Sequence, residues 1–297
     1  MYALPGCVDQ ISVDLPPPAK RLVLNSILTP DSVFRVQVSR VASTTDASSR
    51  LLSSAQVSRV NSDGTTEVLR RQGNGLYYSD TKPVAGGRYT VQATMPDYPP
   101  VSATDTIPEQ VPIREAWHSF PTGTDRNNEL LGTIVVRFDD PAPTTNFYEI
   151  SAYQSRNGLQ NGGLRLDVRG NAALAAEEDR DFSPRSLVFS DKLFNGRAFE
   201  LRASFLTNGY FSGNNSGGPQ ISGDVYLVLR SVSRAYYQYR KSWTRHLYNQ
   251  GVKEEGYGND LNQLLFLGDP TPMTSNVSGG YGVVAGYSKQ TMILPSR

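Results

Sequence analysis

The feature that most constrains this chain is the repeated occurrence of tight-turn signals between short segments that alternate apolar and polar residues. Turn pairs that favour two-residue β-hairpins are Asp63-Gly64, Asn74-Gly75, Asn157-Gly158, Asn195-Gly196 and Asn208-Gly209. The chain also contains many valines and 16 tyrosines, which are strand-forming residues. Its 26 glycines and 19 prolines supply further turns. The pattern predicts an all-β protein.

The strand signals fall into two regions separated by a proline-rich stretch. Within residues 20–110, short alternating segments such as 22–29 and 34–41 follow one another with the turn spacing of an immunoglobulin-like sandwich. Residues 96–112 contain five prolines and no glycine, which indicates an exit strand and a linker. The sequence therefore predicts a tether in residues 1–19, an immunoglobulin-like sandwich in 20–110 and a second β-sandwich-like domain in 111–297.

One amphipathic helix is predicted near residues 232–249 of the second domain. Its large apolar residues recur at steps of three and four, and they are Tyr236, Tyr239, Trp243 and Leu247. Ser233 is a suitable N-cap, and Gly251 is a suitable stop signal. The helix is expected to pack one aromatic face against the β domain.

Composition excludes several classes of function. The chain carries 29 basic and 28 acidic residues, a net charge of +1, which argues against a general nucleic-acid binder. No apolar run approaches the roughly 20 residues that a membrane-spanning helix needs. Membrane attachment would therefore go through a lipid or a partner protein.

Cys7 is the only cysteine of the chain and lies in the sequence Leu4-Pro5-Gly6-Cys7. A leucine three positions before a cysteine and a small residue directly before it fit the acceptor site of a bacterial lipoprotein anchor. Six residues precede Cys7, fewer than a signal peptide has, so either a leader lies beyond this start or the cysteine is incidental. The proline-rich stretch 9–20 that follows suits an extended tether.

Motifs for catalysis or cofactor binding are missing from the sequence. The two histidines, His118 and His246, do not form a metal-binding pair, and there is no nucleophile elbow or phosphate-binding loop. The glycines of segment 280–286 lack the spacing and the following helix of a dinucleotide loop. The sequence thus predicts no enzyme and no cofactor. A hydrolase that uses an acidic pair such as Asp139 and Asp191 is kept as a minor alternative.

Acidic residues raise the question of a metal. Asp139 and Asp140 end the most apolar strand, and a second cluster contains Glu178, Asp179 and Asp181. Calcium takes six to eight oxygen ligands, and loops at sandwich ends can supply them. These five residues are weak calcium candidates, and the alternative is a solvated acidic surface.

The best candidates for recognition lie in a glycine-rich loop and near the domain boundary. Residues 207–223 form a loop too long for a simple connection, with aromatic and amide residues at its centre. The candidates for contact with a partner or ligand are Tyr210, Phe211, Asn214, Asn215, Trp117 and His118. Alternatively, the loop aromatics pack beneath the loop, and His118 is a structural residue beside Trp117.

Five segments, 138–141, 146–148, 190–196, 224–239 and 275–287, form a recognisable pattern together with the opening cysteine and tether. This pattern resembles a family of outer-membrane lipoproteins from the Bacteroidota, a domain family of unknown function. The resemblance implies a lipid anchor, an all-β body and a gene beside that of a TonB-dependent receptor. It supplies no catalytic residues.

The leading functional prediction follows from this resemblance. The chain is expected to be a surface-exposed outer-membrane lipoprotein, held by lipid on Cys7. It would act as an accessory or lid subunit of a TonB-dependent transporter and help to capture or gate its substrate. The alternative is a free-standing adhesion module that binds a glycan or a protein.

Overall fold

The computed structural model describes residues 19–297 except 44, 45, 47, 49, 157, 158, 169, 178–184, 208–210, 215–217 and 250–270. In the described residues, 19 strands and two helices form two sandwich-like bodies, which confirms the predicted all-β fold class. Neither helix in this part of the chain is both long and apolar enough to cross a bilayer.

The first body contains two facing sheets. One sheet contains β1 (Leu22–Leu28), β2 (Arg35–Arg40), β5 (Arg70–Gly73) and β6 (Leu76–Tyr78), and the other contains β3 (Gln56–Val60), β4 (Thr66–Val68), β7 (Arg88–Met95) and β8 (Tyr98–Thr106). Alternate residues of the longer strands point into a shared core, as Leu22 and Leu24 of β1 and Val91 of β7 do.

Two of the predicted turn pairs form hairpins in this body. Asp63-Gly64 lies between β3 and β4, where Asp63 Oδ1 accepts the Thr65 N–H at 2.9 Å. Asn74 and Gly75 join β5 to β6 with φ of 48° and 69°. Positive φ at both central residues is what a type I′ hairpin turn requires, and Asn-Gly supplies it with little strain.

The second body also has two sheets. One contains β9 (Ile113–Thr124), β10 (Leu130–Asp139), β13 (Leu166–Asp167) and β15 (Ala198–Leu206), and the other contains β11 (Phe147–Arg156), β12 (Leu159–Gly163), β14 (Ser186–Ser190), β18 (Asp224–Val232) and β19 (Tyr281–Ile293). The remaining elements are α1 (Ala172–Ala175), the hairpin of β16 (Phe211–Asn214) and β17 (Gly218–Ile221), and α2 (Arg234–Asn249). Aromatic rings from both sheets fill the core between them.

A strand near the end of the chain joins the two bodies. β19 pairs with β18 on one side and runs parallel to β1 on the other, so a single sheet passes through both bodies. Val277 and Val284 pack into the first core, beside residues from the opposite end of the chain. The predicted division at residues 19/20 and 110/111 stays a prediction, and the 281–293 strand contributes to both bodies.

Close backbone approach explains the glycines at and just before the start of β19. A Cβ on Gly280 would lie 2.3 Å from the Leu22 carbonyl oxygen, and a Cβ on Gly282 would lie 2.2 Å from that of Leu24. These positions therefore exclude any side chain.

Two local predictions need correction. Helix α2 begins at Arg234 and not at 232, because β18 continues to Val232 and Ser233 is the N-cap, its Oγ accepting the Tyr236 N–H at 3.1 Å. The predicted loop 207–223 contains a two-stranded hairpin, with Phe211 paired to Ile221. The predicted stop at Gly251 lies outside the described residues.

Candidate binding cleft between the two sandwiches

A cleft of about 640 Å³ opens where the two bodies meet. Three chain segments line it: 105–112, which leads out of the first body; 139–147, at the end of the second body; and 231–234, where β18 passes into α2. Clefts of this volume at domain junctions are common sites of ligand binding. We call it the interbody cleft.

Asp105 joins three elements at the cleft. It lies near the end of β8, and its Oδ2 accepts the Gly286 N–H of β19 at 2.7 Å. The Ser233 hydroxyl also hydrogen-bonds to Asp105, and the Ser233 N–H donates to the Gly286 carbonyl at 2.9 Å. Burial raises the pKa of Asp105, although these hydrogen bonds act in the opposite direction.

The linker wall is fixed by contacts with the second body. The Val111 N–H donates to Ser231 Oγ at 3.0 Å, and the Ile113 N–H donates to Gln290 Oε1 at 2.6 Å. Ile107 packs into the first core, whereas Val111 packs into the second. The segment that sequence analysis interpreted as a linker is therefore an ordered wall of the cleft.

Two buried carboxylates hold the opposite wall. Asp140 accepts a hydrogen bond from the Tyr148 hydroxyl and another from the Gly196 N–H at 2.8 Å. Asp191 Oδ2 accepts the Asn146 N–H at 2.7 Å and the Asn195 side-chain amide at 2.9 Å. Burial raises the pKa of Asp191, and the nearby Asp140 adds to this effect. The hydrogen bonds of these two carboxylates hold segment 141–146 in place.

Of the five calcium candidates, the two that the structure describes lie in different environments. Asp139 is exposed and lies 3.4 Å from Arg114, whereas Asp140 is buried and hydrogen-bonded. Glu178, Asp179 and Asp181 lie outside the described residues. Among the residues that are described, no group of three or more histidine, cysteine or acidic side chains is placed to hold a metal ion. The proposed pair of Asp139 and Asp191 joins an exposed side chain to a fully buried one.

Trp117 and His118 both lie on β9 and do not line the interbody cleft. The guanidinium groups of Arg297 and Arg137 lie 4.4 Å and 5.1 Å from the centre of the Trp117 ring. His118 is buried, and its Nδ1 has no hydrogen-bond partner among the described atoms. Its backbone pairs with the segment 295–297. These contacts give both residues a structural role in this sheet.

His118 should make the protein acid-sensitive. Burial lowers its pKa, so near pH 6 the unfolded chain binds a proton that the folded chain does not. Stability is therefore expected to fall as the pH drops below about 6.5, the ordinary histidine value. Replacing His118 with leucine should remove this component. Melting temperatures of both proteins at pH 7.5 and 5.5 measure it, and an equal drop in both would contradict the prediction.

Only part of the predicted recognition loop lies within the described residues. The backbones of Phe211 and Asn214 form the ends of β16, while Tyr210, Asn215 and the anchor candidate Cys7 lie outside the described residues. Strand β17 of this hairpin lies against β9. The hairpin is thus close to the strand that carries Trp117 and His118, as a joint recognition surface would require.

The carboxylate that holds the first turns of helix α2 was not among the candidates predicted from the sequence. Glu149 on β11 is 3% exposed. It lies 2.8 Å from Arg230 Nη1 and accepts the Tyr236 hydroxyl at 2.8 Å. The Ser186 hydroxyl also donates to Glu149, and Arg240 lies at 3.5 Å. In the sequence, the signal that could have identified Glu149 is a charged residue within an alternating strand, opposite an arginine of the neighbouring strand.

A second carboxylate, Glu177, holds helix α2 against the second body through Tyr237 and Lys241. It accepts the Tyr237 hydroxyl at 2.6 Å and the Ser190 N–H at 2.7 Å, and it pairs with Lys241 at 3.0 Å. Burial opposes its charge, but these partners outweigh burial and lower the pKa of Glu177. Helix α2 is therefore attached to the sheet by charged and hydroxyl groups as well as by aromatic packing.

The fold and the cleft define a two-body β-sandwich protein, and comparison with sequence families gives its membership. Residues 8–293 match the family described as a domain of unknown function (DUF4249), so the chain belongs to that family. This confirms the predicted membership of a domain family of unknown function. A comparison with curated proteins gives no match.

Two solved structures with some similarity are bacterial alpha-2-macroglobulins. A mutant Salmonella alpha-2-macroglobulin is 16% identical, with a TM-score of 0.23, and the alignment covers 94% of this chain and 15% of that one. The native conformation of E. coli alpha-2-macroglobulin is 12% identical, with a TM-score of 0.26, and the alignment covers 72% of this chain and 13% of that one. The chain thus spans less than a sixth of either protein.

Proposed function

We propose that this chain is a non-enzymatic binding subunit of the outer membrane. Lipid on Cys7 would hold it at the cell surface, and it would associate with a TonB-dependent β-barrel transporter and help to capture or gate the transporter's substrate. The interbody cleft is the observation that best supports a binding role. Its walls come from both bodies, and strand β19 joins those bodies in one sheet.

The bonding state of the cleft residues favours binding over catalysis. Asp105, Ser231 and Ser233 each hold a backbone N–H group of another segment or of the helix start. Asn146 holds the carbonyl groups of Pro141 and Thr144. Side chains fixed in this way hold the shape of the cleft, which is what a binding subunit needs.

The two aromatic residues Tyr210 and Phe211 should contribute to partner binding. Replacing Tyr210 and Phe211 with alanine is expected to weaken binding to the transporter about ten-fold or more, since aromatic anchors carry much of the energy of many interfaces. The melting temperature should stay close to that of the unmodified protein. Co-purification of tagged variants from outer membranes and thermal unfolding of the purified proteins measure the two effects.

Tyr281→Ala is the matched control, because Tyr281 is a tyrosine of β19 that is 56% exposed. This change should alter neither quantity. An unchanged complex for the double variant would contradict the role of the hairpin. A large drop in its melting temperature would show instead that the aromatics pack beneath the hairpin.

A further inference from the structure

The charges that line the interbody cleft do not balance. Asp105, Glu109 and Asp139 contribute three carboxylates, and Arg234 is the one basic residue in the lining. Glu109, Asp139 and Arg234 are exposed to the cleft's solvent, and Asp105 is half-buried. The excess of negative charge lies in a concave site, where field lines are focused and oppositely charged ligands are concentrated.

Asp105 is the most informative of these groups. Its carboxylate has hydrogen-bond donors in Gly286 and Ser233, but no cationic side chain pairs with it among the described residues. Partial desolvation disfavours the ionised form of this carboxylate, and a nearby positive charge would favour it. A cation in the cleft would provide that charge.

Arg234, which lines the cleft, and Arg114, which pairs with Asp139, do not neutralise the site. The Arg234 guanidinium lies over the Phe147 ring at 5.4 Å and makes no ion pair with a carboxylate of the described chain. Arg114 approaches Asp139 at 3.4 Å, but their side chains are 68% and 62% exposed, so solvent screens the pair. Glu109 and Asp139 therefore remain available to a ligand.

We propose that the interbody cleft binds a cationic amino or guanidinium group, carried either by a basic side chain of a partner polypeptide or by a small free polyamine. The carboxylates of Glu109 and Asp139 would form charge-assisted hydrogen bonds with it. The volume of about 640 Å³ admits either ligand.

This inference deepens the proposed binding function and rests on it for the nature of the partner. It is tested separately, because purified protein is titrated with defined probes and no transporter is present. The probes are spermidine and a blocked peptide with two lysines, and the same peptide with acetylated lysines is the neutral control. Calorimetry at low and at physiological ionic strength gives the affinities.

Three variants test the assignment of the site. Replacing both Glu109 with glutamine and Asp139 with asparagine should weaken binding of the cationic probe about ten-fold or more. Arg234→Gln should strengthen binding several-fold, because it removes the opposing charge. The control replaces Glu129 and Glu200, acidic residues of the second body outside the cleft lining, with glutamine, which changes the net charge equally and should leave the affinity unchanged.

The outcomes separate the two sources of the cation and can overturn the proposal. Binding of the peptide alone indicates a basic polypeptide, and binding of spermidine alone indicates a small amine. Wild-type protein that binds neither probe, or an equal loss in the control variant, would refute the site. Weaker binding in Arg234→Gln would refute a cationic ligand. If the purified protein binds the probe but no transporter co-purifies with it from membranes, this inference stands and only the proposed association is contradicted.

Discussion

Replacing Gly282 with alanine is expected to lower the free energy of unfolding by about 3–5 kcal/mol. The new Cβ would lie 2.2 Å from the Leu24 carbonyl oxygen, and the residue has a φ of +116°. A non-glycine residue at such a φ and a forced contact in a packed region each cost of order 1–3 kcal/mol. Because Gly282 lies where β19 pairs with β1, the strain acts on the connection between the two bodies.

Gly73 provides the matched control for this prediction. Its φ is +107°, close to that of Gly282, but a Cβ there would have no atom within 4 Å. Gly73→Ala should therefore cost only the conformational part, about 1–3 kcal/mol. Urea unfolding of both variants gives the comparison. Equal losses would show that the contact with Leu24 does not limit this position.

Replacing Glu149 with glutamine is also expected to lower the free energy of unfolding, by about 3–5 kcal/mol. The change leaves the Arg230 guanidinium, 24% exposed in its side chain, without its carboxylate partner. It also weakens the acceptor for the Tyr236 hydroxyl on α2. Urea unfolding measures the loss, and hydrogen exchange of the helix amides shows whether α2 opens first.

Glu200→Gln is the control, because Glu200 also pairs with an arginine but is exposed. Its carboxylate lies 2.6 Å from Arg137 Nε, and its side chain is 40% exposed. Since solvent screens exposed pairs, this variant should unfold almost as the unmodified protein does. Similar losses for Glu149→Gln and Glu200→Gln would contradict the role assigned to burial.

Local sequence signals predicted the local structure well. The Asp63-Gly64 and Asn74-Gly75 pairs mark hairpins, and Ser233 caps the helix, because each feature depends on the conformation of a few neighbouring residues. The same signal failed to specify a hairpin at Asn195-Gly196. That turn connects strands of different sheets. It places the Gly196 N–H and the Asn195 side-chain amide where they donate hydrogen bonds to Asp140 and Asp191.

The cleft and the joining strand could not be predicted in this way. The pairing of β19 with β1 brings together opposite ends of the chain, and no local pattern encodes a partner that distant. The cleft combines segments 105–112, 139–147 and 231–234, each of which is unremarkable alone. Asp105 acquires its significance only when the fold places it beside Gly286 and Ser233.

The most direct test of the proposed function is a pull-down of tagged protein from native outer membranes in mild detergent, followed by mass spectrometry. We predict that a TonB-dependent β-barrel receptor co-purifies in stoichiometric amount with the tagged chain, and that the peptide containing Cys7 carries lipid. A tagged protein that is recovered alone would contradict the association and favour the free-standing glycan- or protein-binding module.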